Sequence, residues 1–95
     1  MREADLERKC CEWAKAHGWL AFKFVSPGRA GVPDRVYLRN GHAVFVEFKA
    51  PGKKPTDLQW LLISRIRHAG FSVLVCDDFE TFALTLTYAH EGEGD

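Results

Sequence analysis

The stretch Gly31–Lys49, GVPDRVYLRNGHAVFVEFK, decides how the chain folds. Two β-rich runs, Arg35–Arg39 and His42–Lys49, flank Asn40-Gly41, the dipeptide best suited to a two-residue type I′ turn. The stretch therefore reads as a β-hairpin, and the turn fixes its register. Arg39 pairs with His42, Val36 with Phe45 and Asp34 with Glu47. Directly paired residues share a face, with Cβ atoms roughly 4.5–5.5 Å apart. Lys49 lies two residues past Glu47 and falls on that face too. Two carboxylates and one ammonium are thus expected to converge where the hairpin opens.

Adjacent carboxylates repel unless something cationic sits between them. A divalent metal does this well, and Mg²⁺ is typically held by one or two carboxylates together with phosphate and water. The plainer reading is a salt-bridged strand end, with Lys49 neutralising Glu47 and Asp34 capping a turn. The fixed register and the apolar residues around the trio favour a metal site.

Val36, Leu38, Ala43 and Phe45 share the face of the trio, while Tyr37, Val44, Val46 and Phe48 line the other. A sheet apolar on both sides must be covered on both, which predicts an α/β layered domain. Upstream, residues from about Ala4 to His17 look helical, with Leu6, Cys10, Trp13 and His17 as an apolar stripe and Gly18 as a stop. Glu7 precedes Cys11 and Ala14 at i+4 and i+7, so it leans towards the buried side. Taken alone it reads better as a first-turn carboxylate favoured by the helix dipole, and Glu3 lies a turn earlier and more exposed. Trp19–Val25 forms a strand carrying Lys23. The loop Ser26–Gly31 offers Arg29, either a phosphate contact or a solvated arginine. Pro33 biases Val32 to an extended conformation and stiffens the approach to Asp34.

Downstream, Ala50–Pro55 is a basic loop containing Lys53 and Lys54. Thr56 starts a helix to about Ala69, with Leu58, Leu61, Leu62 and Ile66 as its expected buried stripe and Gly70 as its stop. Thr56-x-x-Gln59 fits a capping box, which by itself accounts for Gln59. Phe71–Cys76 is a further strand, and Asp77 or Asp78 caps a last helix from about Phe79 to Tyr88. The expected organisation is one domain over residues 1–90 and an acidic tail over 91–95.

The totals agree with this picture. Ninety-five residues, 46% hydrophobic and 13% aromatic, suit one small globular core rather than disorder. Cys10, Cys11 and Cys76 show neither C-x-x-C nor metal-ligand spacing and read as reduced core thiols. No apolar run reaches membrane-span length and no signal-peptide segment is seen, so a cytoplasmic protein is expected. Net charge is zero, which alone argues against nucleic acid. Its distribution argues otherwise. Between Leu20 and Gly70 nine basic residues (Lys23, Arg29, Arg35, Arg39, Lys49, Lys53, Lys54, Arg65 and Arg67) face three acids, Asp34, Glu47 and Asp57. A locally basic face can bind phosphates on a neutral chain. His17, His42, His68 and His90 occupy no triad-like constellation.

The order helix–strand–hairpin–helix–strand, with Pro33-Asp34 followed by Glu47-Phe48-Lys49, resembles the PD-(D/E)xK nuclease superfamily. That resemblance implies a restriction-endonuclease-like core: a mixed central sheet with helices on both faces. Gly31-Val32-Pro33-Asp34, Val46-Glu47-Phe48-Lys49-Ala50-Pro51 and the downstream Gln59 resemble the VRR-NUC domain more narrowly. This domain occurs in small stand-alone phage and bacterial proteins and at the end of a eukaryotic DNA-repair nuclease. The likeness spans about Leu6 to Cys76.

By resemblance, Asp34, Glu47 and the backbone carbonyl of Phe48 would hold Mg²⁺ or Mn²⁺, with Glu7 joining through water. Lys49 would orient or help deprotonate the attacking water, and Gln59 would support the site. Lys23, Arg29, Arg35, Lys53 and Lys54 are the candidate DNA contacts. Stand-alone members resemble homodimeric Holliday-junction resolvases, which implies a homodimer cutting branched duplex DNA. A nuclease with little structural preference or partner-set specificity, and a non-cleaving DNA-binding domain of the same fold, stay open as alternatives.

Overall fold

The computed structural model describes residues 1–89; the expected acidic tail at 91–95 and His90 lie outside the described residues. The elements run α1 (Glu3–Ala16), β1 (Leu20–Lys23), β2 (Arg35–Arg39), β3 (His42–Phe48), α2 (Asp57–His68), β4 (Ser72–Cys76) and α3 (Phe79–Tyr88). The four strands form one mixed sheet in the order β1-β2-β3-β4. β1, β2 and β3 are antiparallel neighbours and β4 joins β3 in parallel. No helix among the described residues is long and apolar enough to cross a membrane.

The hairpin takes the register its turn requires. Arg39 pairs with His42 and Val36 with Phe45. Asn40 and Gly41 have φ of 49° and 82°, the two positive values of a type I′ turn. The ladder ends at Arg35–Val46, one pair before Asp34 and Glu47. Asp34 bends out of the strand instead. Its carbonyl accepts from the Phe24 N–H at 2.9 Å, and its side chain crosses to β3.

The two faces of the sheet are covered unequally. Tyr37, Val44, Val46 and Phe48 are buried against Leu6, Cys10, Cys11 and Ala14 of α1 and Phe82 and Leu86 of α3. The Phe82 ring packs edge-on to Tyr37 and Trp13, at centroid distances of 5.1 and 6.0 Å. All three cysteines are free and buried. His17 departs from the expected stripe: it is exposed, stacks on Trp13 at 4.0 Å and bonds the Trp13 carbonyl through Nδ1 at 2.7 Å. Beyond the last helical residue its ring closes the helix end rather than entering the core.

On the opposite face, α2 is rotated from the expected phase. Leu62 and Ile63 are buried and Ile66 half-buried, while Leu58 and Leu61 are each 47% exposed. The sheet-facing stripe is therefore Gln59, Leu62, Ile63 and Ile66, an i, i+3, i+4, i+7 set displaced from the expected one. A buried acid on β3 accounts for the rotation, because it draws Gln59 inwards. Gly31 holds the neighbouring loop against this helix. Its φ is +91°, and a Cβ there would lie 2.9 Å from the Leu58 Cγ and 3.2 Å from the Leu58 carbonyl oxygen. Only glycine fits both conditions.

Candidate active site

Glu47 lies near the end of β3, 2% exposed and the one buried charged residue among those described. Ionised carboxylates are rarely buried without partners. Its Oε2 has two: Lys49 Nζ at 3.2 Å and Gln59 Nε2 at 3.0 Å. Its Oε1 is inaccessible and has no hydrogen-bond partner among the described residues. Asp34 reaches the same place from across the hairpin, its Oδ2 accepting from the Phe48 N–H at 2.9 Å. Asp34 thus braces the strand that carries Glu47 and Lys49.

Burial, then the nearby Asp34 charge, pushes the Glu47 carboxyl up to about 7, although Lys49 opposes the shift. Burial also raises Asp34, against the Phe48 N–H that stabilises its anion; the Glu7 charge adds to the rise. Two acids displaced in the same direction mark a place where negative charge is held at a cost. Such clustering is common at functional sites.

A divalent cation fits what these residues lack. An orphaned carboxylate oxygen beside a second carboxylate is an all-oxygen donor set, suited to a hard ion such as Mg²⁺ or Mn²⁺. Among the described residues no three His, Cys, Asp or Glu side chains converge into a cage. An ion here would rest on Asp34 and Glu47 and complete its shell from backbone, water and phosphate.

Gln59 serves two purposes at once. Its Oε1 accepts from the Thr56 N–H at 2.9 Å while the Thr56 hydroxyl accepts from the Gln59 N–H at 3.2 Å, a complete capping box. Its amide nitrogen is then free to donate to Glu47. The start of α2 is thereby tied to the buried acid.

Glu7 is held by Arg35 Nε at 2.6 Å in a half-buried pair, close enough to Asp34 for its charge to act there. Arg35, a candidate DNA contact, is therefore turned towards α1 rather than the outer surface. Strand alternation carries the signal: Arg35 follows Asp34 and must face the other side of the sheet, where α1 lies. Lys23, Arg29, Lys53 and Lys54 are exposed. Sequence reasoning passed over Trp60, which follows Gln59 and is 39% exposed.

No protein-family model matches the sequence. Over 78 residues the chain is 47% identical to "Putative nuclease p44" of Acyrthosiphon pisum secondary endosymbiont phage 1, which covers 81% of this chain and 84% of that protein. A solved structure described as a VRR-NUC domain superposes with a TM-score of 0.82 at 30% identity, over 90% of this chain and 95% of that one. The shared fold and the phage relative agree with the D…E-x-K hairpin, and the chain belongs to the VRR-NUC nuclease family.

Proposed function

We propose that this nuclease is a Mg²⁺- or Mn²⁺-dependent endodeoxyribonuclease that cuts branched duplex DNA such as Holliday junctions, and that it acts as a homodimer in the cytoplasm of a bacterial cell or phage-infected host. The observation that carries the metal-dependent reading is the buried, unpartnered Oε1 of Glu47 beside Asp34. Asp34, Glu47 and the Phe48 carbonyl would hold the ion, with Glu7 contributing through water. When bound, the ion supplies Lewis acidity and neutralises charge building on the phosphate.

The chain's own groups do the rest. Lys49 is anchored by Glu47, so its ammonium is fixed where it can orient the attacking water and stabilise developing negative charge. Gln59 holds Glu47 in one rotamer. Asp34, through the Phe48 N–H, keeps the two arms of the hairpin in fixed relation. The Glu7–Arg35 pair ties α1 to β2 immediately beside Asp34. Lys23, Arg29, Lys53 and Lys54 supply exposed positive charge for the DNA backbone.

Dimerisation is supported by the incompletely covered face of the sheet. Leu20 and Phe22 on edge strand β1 pair with Leu38 and Val36, so they share that face; both are more than half exposed, as is Phe71. Phe71 packs edge-on to Phe45 at 6.1 Å and extends the same apolar area. A two-fold contact there would place two copies of the site in fixed relation, which suits incisions on opposed strands of a junction. Phe22→Asp is expected to shift the protein from dimer to monomer in light scattering and to uncouple the two incisions. A monomeric wild type would remove the dimer from the proposal.

The function is tested with a four-way junction, a flap and a plain duplex, each with Mg²⁺, with Mn²⁺ and with chelator. Cutting of the branched substrates ahead of the duplex, abolished by chelator, is the expected result. Equal cutting of all three would leave a nuclease without structural preference. Cutting in chelator would remove the metal.

A further inference from the structure

α2 turns Trp60 away from the sheet and leaves the residue 39% exposed. Its ring forms one wall of a cleft of about 230 Å³ also lined by Lys53, Lys54, Pro55, Val75 and Asp77. Val75 is the ladder partner of Glu47, so the floor of the cleft adjoins the buried acid. Gln59, the residue before Trp60, touches that acid directly. The cleft therefore adjoins the strand and the helix that flank the buried acid.

The other two tryptophans behave as core residues. Trp19 is buried, and Trp13 packs on His17, Phe79 and Phe82. Helix phase explains why position 60 faces outwards, but it does not explain a tryptophan there, since the residue is largely buried in most proteins. Lys53 and Lys54 are exposed and make no ion pair among the described residues. An indole face, two uncommitted ammonium groups and an exposed carboxylate thus converge beside the acids that would hold the metal.

One ligand class matches all three. A nucleobase offers a π-face for the indole and a ring or exocyclic N–H for Asp77, and the phosphates on either side of it suit the lysines. We infer that an unstacked base at a branch point or in a single-stranded flap binds in this cleft, its ring on Trp60 and its flanking phosphates on Lys53 and Lys54. The inference rests on the DNA-nuclease reading and deepens it by naming how the chain tells branched from regular DNA. Duplex bases have both faces stacked and must be extracted to reach such a cleft, whereas bases at a branch or in a flap are freed at much lower cost. Stacking on an aromatic ring is also tolerant of sequence, because every base has a π-face. Selection by structure rather than by sequence follows.

Binding is measured on the full chain in chelator, so that nothing is cut. The probes are an oligothymidylate, a flapped duplex with 2-aminopurine at the branch base, and a blunt duplex of equal length. Wild type is expected to show tryptophan quenching with the first two probes and altered 2-aminopurine emission with the flap. Trp60→Phe should abolish the quenching, because Trp13 and Trp19 lie in or against the core, while keeping most of the affinity. Trp60→Ala should weaken flap binding about tenfold, a loss typical of one stacked base, and weaken blunt-duplex binding much less. Thermal unfolding of both variants checks that they fold.

Unchanged flap affinity in Trp60→Ala, an equal loss on flap and blunt duplex, or quenching that survives in Trp60→Phe would each overturn the inference while leaving the nuclease reading intact. A wild type that binds none of the probes and cuts nothing with Mg²⁺ would overturn both.

Discussion

Glu47→Gln is expected to lower cleavage about 1,000-fold, the several kcal/mol attributed to a catalytic metal, and at the same time to stabilise the metal-free protein at alkaline pH. Both effects come from one charge. The variant keeps an acceptor for Lys49 and Gln59 but removes the anion that faces Asp34. In the folded chain the Glu47 carboxyl is pushed up to about 7, first by burial and then by Asp34, against about 4.3 when unfolded. A raised folded value means that the fold holds its proton more tightly than the unfolded chain does. The resulting stability is fully present below the unfolded value and is lost as pH rises through the folded one.

The thermal midpoint of metal-free wild type should therefore fall between pH 5 and pH 8. Asp34, also raised, acts in the same direction. Asp5 and Asp78 are shifted down, so their contribution is lost only in stronger acid and does not disturb this window. The Glu47→Gln midpoint should be flatter across the same range and higher at pH 8. Mg²⁺ should restore wild type at pH 8 and leave the variant nearly unmoved. A flat wild-type profile, or equal rescue of both proteins by Mg²⁺, would show that Glu47 does not carry the charge the ion neutralises.

The hairpin was legible because its information is local. Asn40-Gly41 demands positive φ at both turn positions, and alternation then assigns every side chain to a face. Pairs such as Val36–Phe45 follow without further knowledge, and so does the burial of Tyr37, Val44, Val46 and Phe48. What local pattern could not supply was the choice between two apolar stripes on α2. Leu58, Leu61 and Leu62 satisfy helical spacing as well as Leu62, Ile63 and Ile66 do. The tie is broken by a polar contact between Gln59 and an acid twelve residues earlier. Asp34 leaving the ladder has a similar origin: its carboxylate accepts from the Phe48 N–H, a contact across the hairpin that alternation does not foresee. The Glu7–Arg35 pair was hidden for the same reason, because its two partners lie on different elements.

Gln59→Glu separates the two roles of that residue. Glutamate is as good a capping-box partner as glutamine, so it can still accept from the Thr56 N–H. The helix start is preserved, and the circular dichroism of α2 should not change. The donor to Glu47 Oε2 is lost, however, and a third carboxylate is brought to within hydrogen-bond distance of one already raised by its neighbour. A hydrogen bond to a charged group contributes about 1.5–3 kcal/mol, and the new repulsion adds to that loss. Cleavage is expected to fall about 100-fold in Gln59→Glu with the fold intact. Gln59→Ala, which loses the cap as well, should also cost about 1 kcal/mol of stability. If Gln59 only capped the helix, Gln59→Glu would cut like wild type and Gln59→Ala would be merely less stable. Those two variants therefore distinguish a helix cap from a group that positions the buried acid, because only the second role requires an amide nitrogen.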